Sequence, residues 1–190
     1  TWTMSGTAPK YSIIAPLACF AKNSVIEGCT NYYNVDFTAD NKSGEFVALS
    51  GLVGAIINST IGGESKTQSC ANRGFVRTGR ISNTANGGTG MQTAGICAFM
   101  AKAEGGKLSY CTNYGDIFTE GNGTNRHGPG WLCGYSGAST ATWINCKACV
   151  CGGYVGDYSK YKDDPTSAPD ATNENAFCHA NKNYDPSINF

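Results

Sequence analysis

At 190 residues the chain has room for one ordinary domain or one repeat array, and no shift of charge along it marks a second domain. Lys and Arg number 14, Asp and Glu 14, and charged residues make up only 15% of the chain, so the basic surface that nucleic-acid phosphates require is missing. No run of about 18 apolar residues occurs, which leaves no segment able to span a bilayer as a helix.

The chain opens on Thr1-Trp2-Thr3-Met4, without an initiator Met or a signal peptide, as a processed or excised chain would. A short apolar run, Pro16-Leu17-Ala18-Cys19-Phe20, is followed by the phrase Ile26-Glu27-Gly28-Cys29-Thr30-Asn31-Tyr32-Tyr33-Asn34-Val35. The alternating segment Val35-Asp36-Phe37-Thr38 then reads as a strand with residues facing in and out in turn. A polar loop from Thr38 to Glu45 leads into Gly51-Leu52-Val53-Gly54-Ala55 and into Cys70-Ala71-Asn72-Arg73-Gly74-Phe75-Val76. The pattern returns as Gly95-Ile96-Cys97-Ala98-Phe99 with Cys111-Thr112-Asn113-Tyr114-Gly115-Asp116-Ile117. A worn copy pairs Trp131-Leu132-Cys133-Gly134-Tyr135 with Cys149-Val150-Cys151-Gly152-Gly153-Tyr154-Val155. From Cys29 to Cys70, Cys111 and Cys149 the steps are 41, 41 and 38 residues, by subtraction of their positions.

A fixed period in this range marks stacked units, each too small to bury its apolar face alone. No stretch has convincing helical periodicity, and the 25 glycines, about twice the average share, suit a path that bends often. The expected fold is all-β: a single-stranded parallel β-helix or β-solenoid, right-handed, with about four repeats of roughly 41 residues. Whether one repeat makes one large coil or two small ones is open, with one large coil favoured. Residues 1–156 form the repeat domain. Residues 157–190 leave the pattern as a polar linker and a C-terminal segment that caps an open end.

Leu52, Ile96 and Leu132 are expected in one buried stack, and Cys29, Cys70, Cys111 and Cys149 in another, as free thiols of small apolar character. Asn31, Asn72 and Asn113 are expected to form a ladder, their amides pairing with one another and with neighbouring backbone. Gly74 and Gly115 supply an unhindered backbone after each Asn.

The tetrapeptide Gly51-Leu52-Val53-Gly54, followed by a spaced Cys70-x-Asn72-x-Gly74-x-Val76, resembles the GLUG-motif repeats of bacterial secreted and cell-surface proteins. The resemblance covers roughly Ile14 to Val155; only the second repeat keeps the tetrapeptide intact, and the fourth has Cys151 in place of Asn. It implies a parallel β-solenoid outside the cell or on its surface, and it brings no catalytic residues with it.

The chemistry on offer is sparse. Cys146, Cys149 and Cys151, with Cys178 and His179, have the spacing of an incomplete zinc site, but local disulfide or plain packing explains them as well. With only His127 and His179 as imidazoles, nucleophilic catalysis is thinly supported, and His127 lies in a turn-rich loop tip, Asn125-Arg126-His127-Gly128-Pro129-Gly130. Asp36 and Asp116 do not share a register, as glycoside cleavage by paired carboxylates would require. Binding is better supplied. Tyr32, Tyr33, Tyr110 and Tyr114 stand at outward positions flanking the cysteine phrase, where they suit saccharide rings or a protein partner, or stack to stabilise the sheet. Arg126 and His127 offer a second polar group on the long-loop edge, alongside the loop from Gly79 to Gly90. The expected function is a non-enzymatic surface module, adhesive or glycan-binding or a rigid spacer, without cofactor or metal. Its partner would be a polysaccharide or a host or bacterial surface protein. The alternative is a polysaccharide lyase or hydrolase on a β-helix.

Overall fold

A computed structural model describes residues 2–6, 11–39, 46–79, 91–100, 106–119, 127–130, 132–136, 150–151 and 155–157. The expected C-terminal linker and cap beyond Asp157, the loop Gly79 to Gly90 beyond its first residue, and Cys146 and Cys149 lie outside the described residues.

Among the described residues, twenty short strands fall into five sheets. One sheet runs in the order β1 (Trp2–Gly6), β6 (Val35–Ala39), β11 (Val76–Gly79), β16 (Ile117–Thr119), β20 (Val155–Asp157). A second orders β2 (Tyr11–Ile14), β7 (Phe46–Ser50), β12 (Met91–Ala94), β17 (His127–Gly130). A third orders β3 (Ala18–Lys22), β8 (Val53–Ile57), β13 (Cys97–Met100), β18 (Cys133–Ser136). The fourth holds β4 (Val25–Ile26), β9 (Ser59–Ile61), β14 (Gly106–Leu108), and the fifth β5 (Thr30–Asn31), β10 (Cys70–Asn72), β15 (Cys111–Asn113), β19 (Val150–Cys151). The strand pairings are parallel. Strands β2–β6 visit each sheet once, β7–β11 and β12–β16 do so again, and β17–β20 return to four of the five. The result is an all-β stack of parallel sheets, consistent with a β-helix or solenoid.

Register follows the sequence phrases. Cys70 lies opposite Cys111, and Asn72 lies between Asn31 and Asn113. Ala18, Val53, Cys97 and Cys133 share one rung line, so the small apolar phrase is aligned through all four copies. Leu52, Ile96 and Leu132 are fully buried, together with Ile56, Ile61, Met100 and Leu108, in one core inside the stack. Each such side chain withdrawn from water contributes about 1.5–3 kcal/mol. Cys70 and Cys111 are buried, Cys29 is half-buried, and these three and Cys19, Cys97 and Cys133 are free thiols.

Two local readings change. Val35, Asp36 and Phe37 are all buried, where alternation would have left Asp36 facing water. Its carboxylate takes a two-pronged ion pair from Arg77, one rung on, with Nε to Oδ1 at 2.9 Å. A buried charge persists only when so paired. His127 belongs to strand β17 and not to a loop tip; it pairs with Gln92, and the register shifts before Gly130 meets Ala94. The extra residue falls at Gly128-Pro129, where proline has no N–H to give a regular ladder.

Candidate functional site: an outward row above the asparagine ladder

The asparagine ladder sets the geometry of the turn after the fifth sheet. Asn31 donates from Nδ2 to Asn72 Oδ1 at 2.9 Å, and Asn72 donates to Asn113 Oδ1 at 2.8 Å. Each amide also donates to the carbonyl two residues ahead, of Tyr33, Gly74 and Gly115 respectively, each at 2.7 Å. The backbone partners are therefore in the same turn and not in the neighbouring one. Backbone bonds fix the next residue as well: Arg73 N–H donates to Asn31 O and Tyr114 N–H to Asn72 O, both at 2.8 Å.

Because Asn31, Asn72 and Asn113 point inward, the residue after each points outward. Tyr32, Arg73 and Tyr114 thus form one exposed row. The Arg73 guanidinium carbon lies 4.3 Å from the centroid of the Tyr114 ring, within reach of a cation–π contact. Among the described residues, no carboxylate pairs with Arg73, so its charge is held on an aromatic face and left to solvent. Tyr33 is exposed one position further on.

Tyr110 is elsewhere. It precedes β15, is half-buried, and has a left-handed backbone (φ 51°), so the row contains two of the four expected tyrosines with Tyr33 beside them. His127 sits in the second sheet, away from the row, and Arg126 lies outside the described residues. Arg73 escaped the sequence reading. Its signal was its place as the variable residue of Asn72-Arg73-Gly74, the slot that Tyr32 and Tyr114 hold in the flanking repeats.

Acid chemistry is committed elsewhere. Asp36 is level with Arg77 and, beyond it, Phe118, so Asp36 and Asp116 do not share a rung. Among the described residues no three metal-ligating side chains cluster, and no helix is long and apolar enough to cross a membrane. Burial pushes the Cys70 thiol above its ordinary value, with the neighbouring Cys29 thiol adding to the rise and backbone N–H groups opposing it. Comparison with known proteins returns no matching family model, curated protein or solved structure.

Proposed function

We propose that the chain is a right-handed β-solenoid of about four coils, one per repeat, related to the GLUG-motif proteins, that serves as a non-catalytic binding module outside the cell or on its surface. The ligand class is an acidic polysaccharide. The carrying observation is the Tyr32–Arg73–Tyr114 row: two exposed aromatic faces flank a guanidinium with no carboxylate partner among the described residues. Flat rings with polar tips stack on pyranose faces, and a guanidinium forks onto a carboxylate or sulfate. The row rises one rung per residue, about 4.8 Å, so it runs along the stack as an extended chain would.

Titration calorimetry against polygalacturonate, with neutral dextran as the control, tests this. Binding to the acidic polymer should weaken with salt and fall about tenfold in Tyr114→Ala or Arg73→Ala. Equal binding to both polymers, or binding untouched by either substitution, removes the row as the site. Depolymerisation of the polymer, abolished by replacing one Asp or Glu, overturns the non-catalytic reading.

A further inference from the structure

We propose that Arg73 is the selectivity gate of the outward row: lying over Tyr114 it keeps neutral sugars off that ring, and the carboxylate of a uronic acid draws it aside and frees the ring for stacking. The inference rests on the acidic-polysaccharide reading above and adds to it how the acid is told from its neutral counterpart. The Arg73 guanidinium carbon, 4.3 Å from the Tyr114 centroid, occupies a ring face that a pyranose would need. Yet both residues are exposed, Tyr114 at 51%, so the cover is a side chain in water and not a packed lid.

The backbone beneath the row is fixed. Arg73 N–H is held by Asn31 O and Tyr114 N–H by Asn72 O, each at 2.8 Å. Asn72, just before Arg73, is itself tied to Gly74 O and to Asn113. A Cβ on Gly74 would fall on the Tyr33 carbonyl and one on Gly115 on the Gly74 carbonyl, so the turn that follows is stacked at backbone contact. Movement on binding is left to the torsions of the Arg73 side chain. That side chain has somewhere to go. Two residues back, on the same outward face, stands the small Ala71, with Thr30 and Thr112 as its column neighbours.

Magnitudes decide which sugars open the gate. An exposed cation–π contact biases an equilibrium by about two- to fivefold. A two-pronged, charge-assisted bond from guanidinium to carboxylate is worth about tenfold or more. A uronate therefore replaces what Arg73 gives up on leaving the ring, and a neutral sugar, which offers no anion, does not. Arg77, on β11, is no substitute, because it already forks onto Asp36.

Polygalacturonate and its fully methyl-esterified form, the same ring without the charge, test the gate on the full chain. In the unliganded chain, ring current from Tyr114 should shift the Arg73 side-chain proton resonances upfield; the acid should abolish that shift and the ester should leave it. Arg73→Ala, with circular dichroism unchanged, should weaken the acid about tenfold and tighten the ester about two- to fivefold, so that the preference between them disappears. Tyr114→Ala should remove the upfield shift and weaken the acid without tightening the ester. No upfield shift in the free chain, acid bound with the Arg73 resonances unmoved, or Arg73→Ala binding the ester no better than the native chain overturns the gate and leaves the row standing as the site. Failure of the acid to bind the native chain, or acid binding untouched by both substitutions, removes the row and the gate with it.

Discussion

Asn31 and Asn72 each commit both amide hydrogens, one to a carbonyl two residues ahead and one to the next asparagine. Removing a middle rung therefore orphans the amide on one side, the oxygen on the other and the turn carbonyl. Asn72→Ala should lower stability by about 2–4 kcal/mol, since a buried polar group without a partner costs about 1–3 kcal/mol. Asn31→Ala, in the first layer, should cost less. Urea midpoints at unchanged slope measure both, and a shift under about 0.5 kcal/mol for Asn72→Ala would show the ladder to be ornamental. The cysteine column makes a prediction of opposite chemistry. A thiol whose pKa is higher folded than unfolded contributes in full below the unfolded value, and loses that contribution as pH rises through the folded one. With Cys70 raised from 9.0, its contribution should hold steady at neutral pH and decline above that value. Stability of the native chain relative to Cys70→Ala, followed from pH 7 to pH 10.5, checks the sign; an advantage that grows with alkalinity would contradict it.

At the scale of strands, one leucine slot takes two values. Leu52→Ala, immediately before β8, should cost about 2–5 kcal/mol, and Leu17→Ala in the first layer under about 1 kcal/mol. Equal costs, by thermal or urea unfolding, would mean that the first layer is covered in solution. The phrases that carry the strands were readable because their alternate residues are locked: Cys and Asn are small enough and polar enough, respectively, to tolerate only one face. A second ladder was not readable. Asn58 donates from Nδ2 to Asn23 Oδ1 at 2.9 Å, and both residues hold left-handed backbones, φ 44° and 51°. Asparagine is among the few side chains at ease there, but two isolated asparagines at a corner, without a flanking phrase, leave no period to notice. Asp36 was misread for a related reason: alternation marks which face a residue takes, and its partner Arg77 lies 41 residues away.

Across the whole molecule, the period specified which strands pair, while the spacing of single residues did not show which of them share a column. Tyr110 shares the composition of the tyrosine set but not its rung, and Arg73 shares the rung but not the composition. A binding face on a stack is a column, assembled from one residue per repeat, so residue type along the chain is a poor guide until the register is known. In the inner layers the same register covers a buried residue from above and below with its own counterparts, as Ala18 and Cys97 do for Val53 and Asn31 and Asn113 for Asn72.

The pairing intervals are uneven. Val25 meets Thr60 across 35 intervening steps of sequence, and Ser59 meets Gly106 across 47, by subtraction of their positions. Chain-closure entropy grows only as the logarithm of loop length, so these two closures differ by about 0.3 kcal/mol. Lengthening a corner is therefore nearly free, whereas shifting a strand by one residue would turn every rung inside out. Such a frame lets corner segments drift in length and content under selection while the columns they carry stay in step.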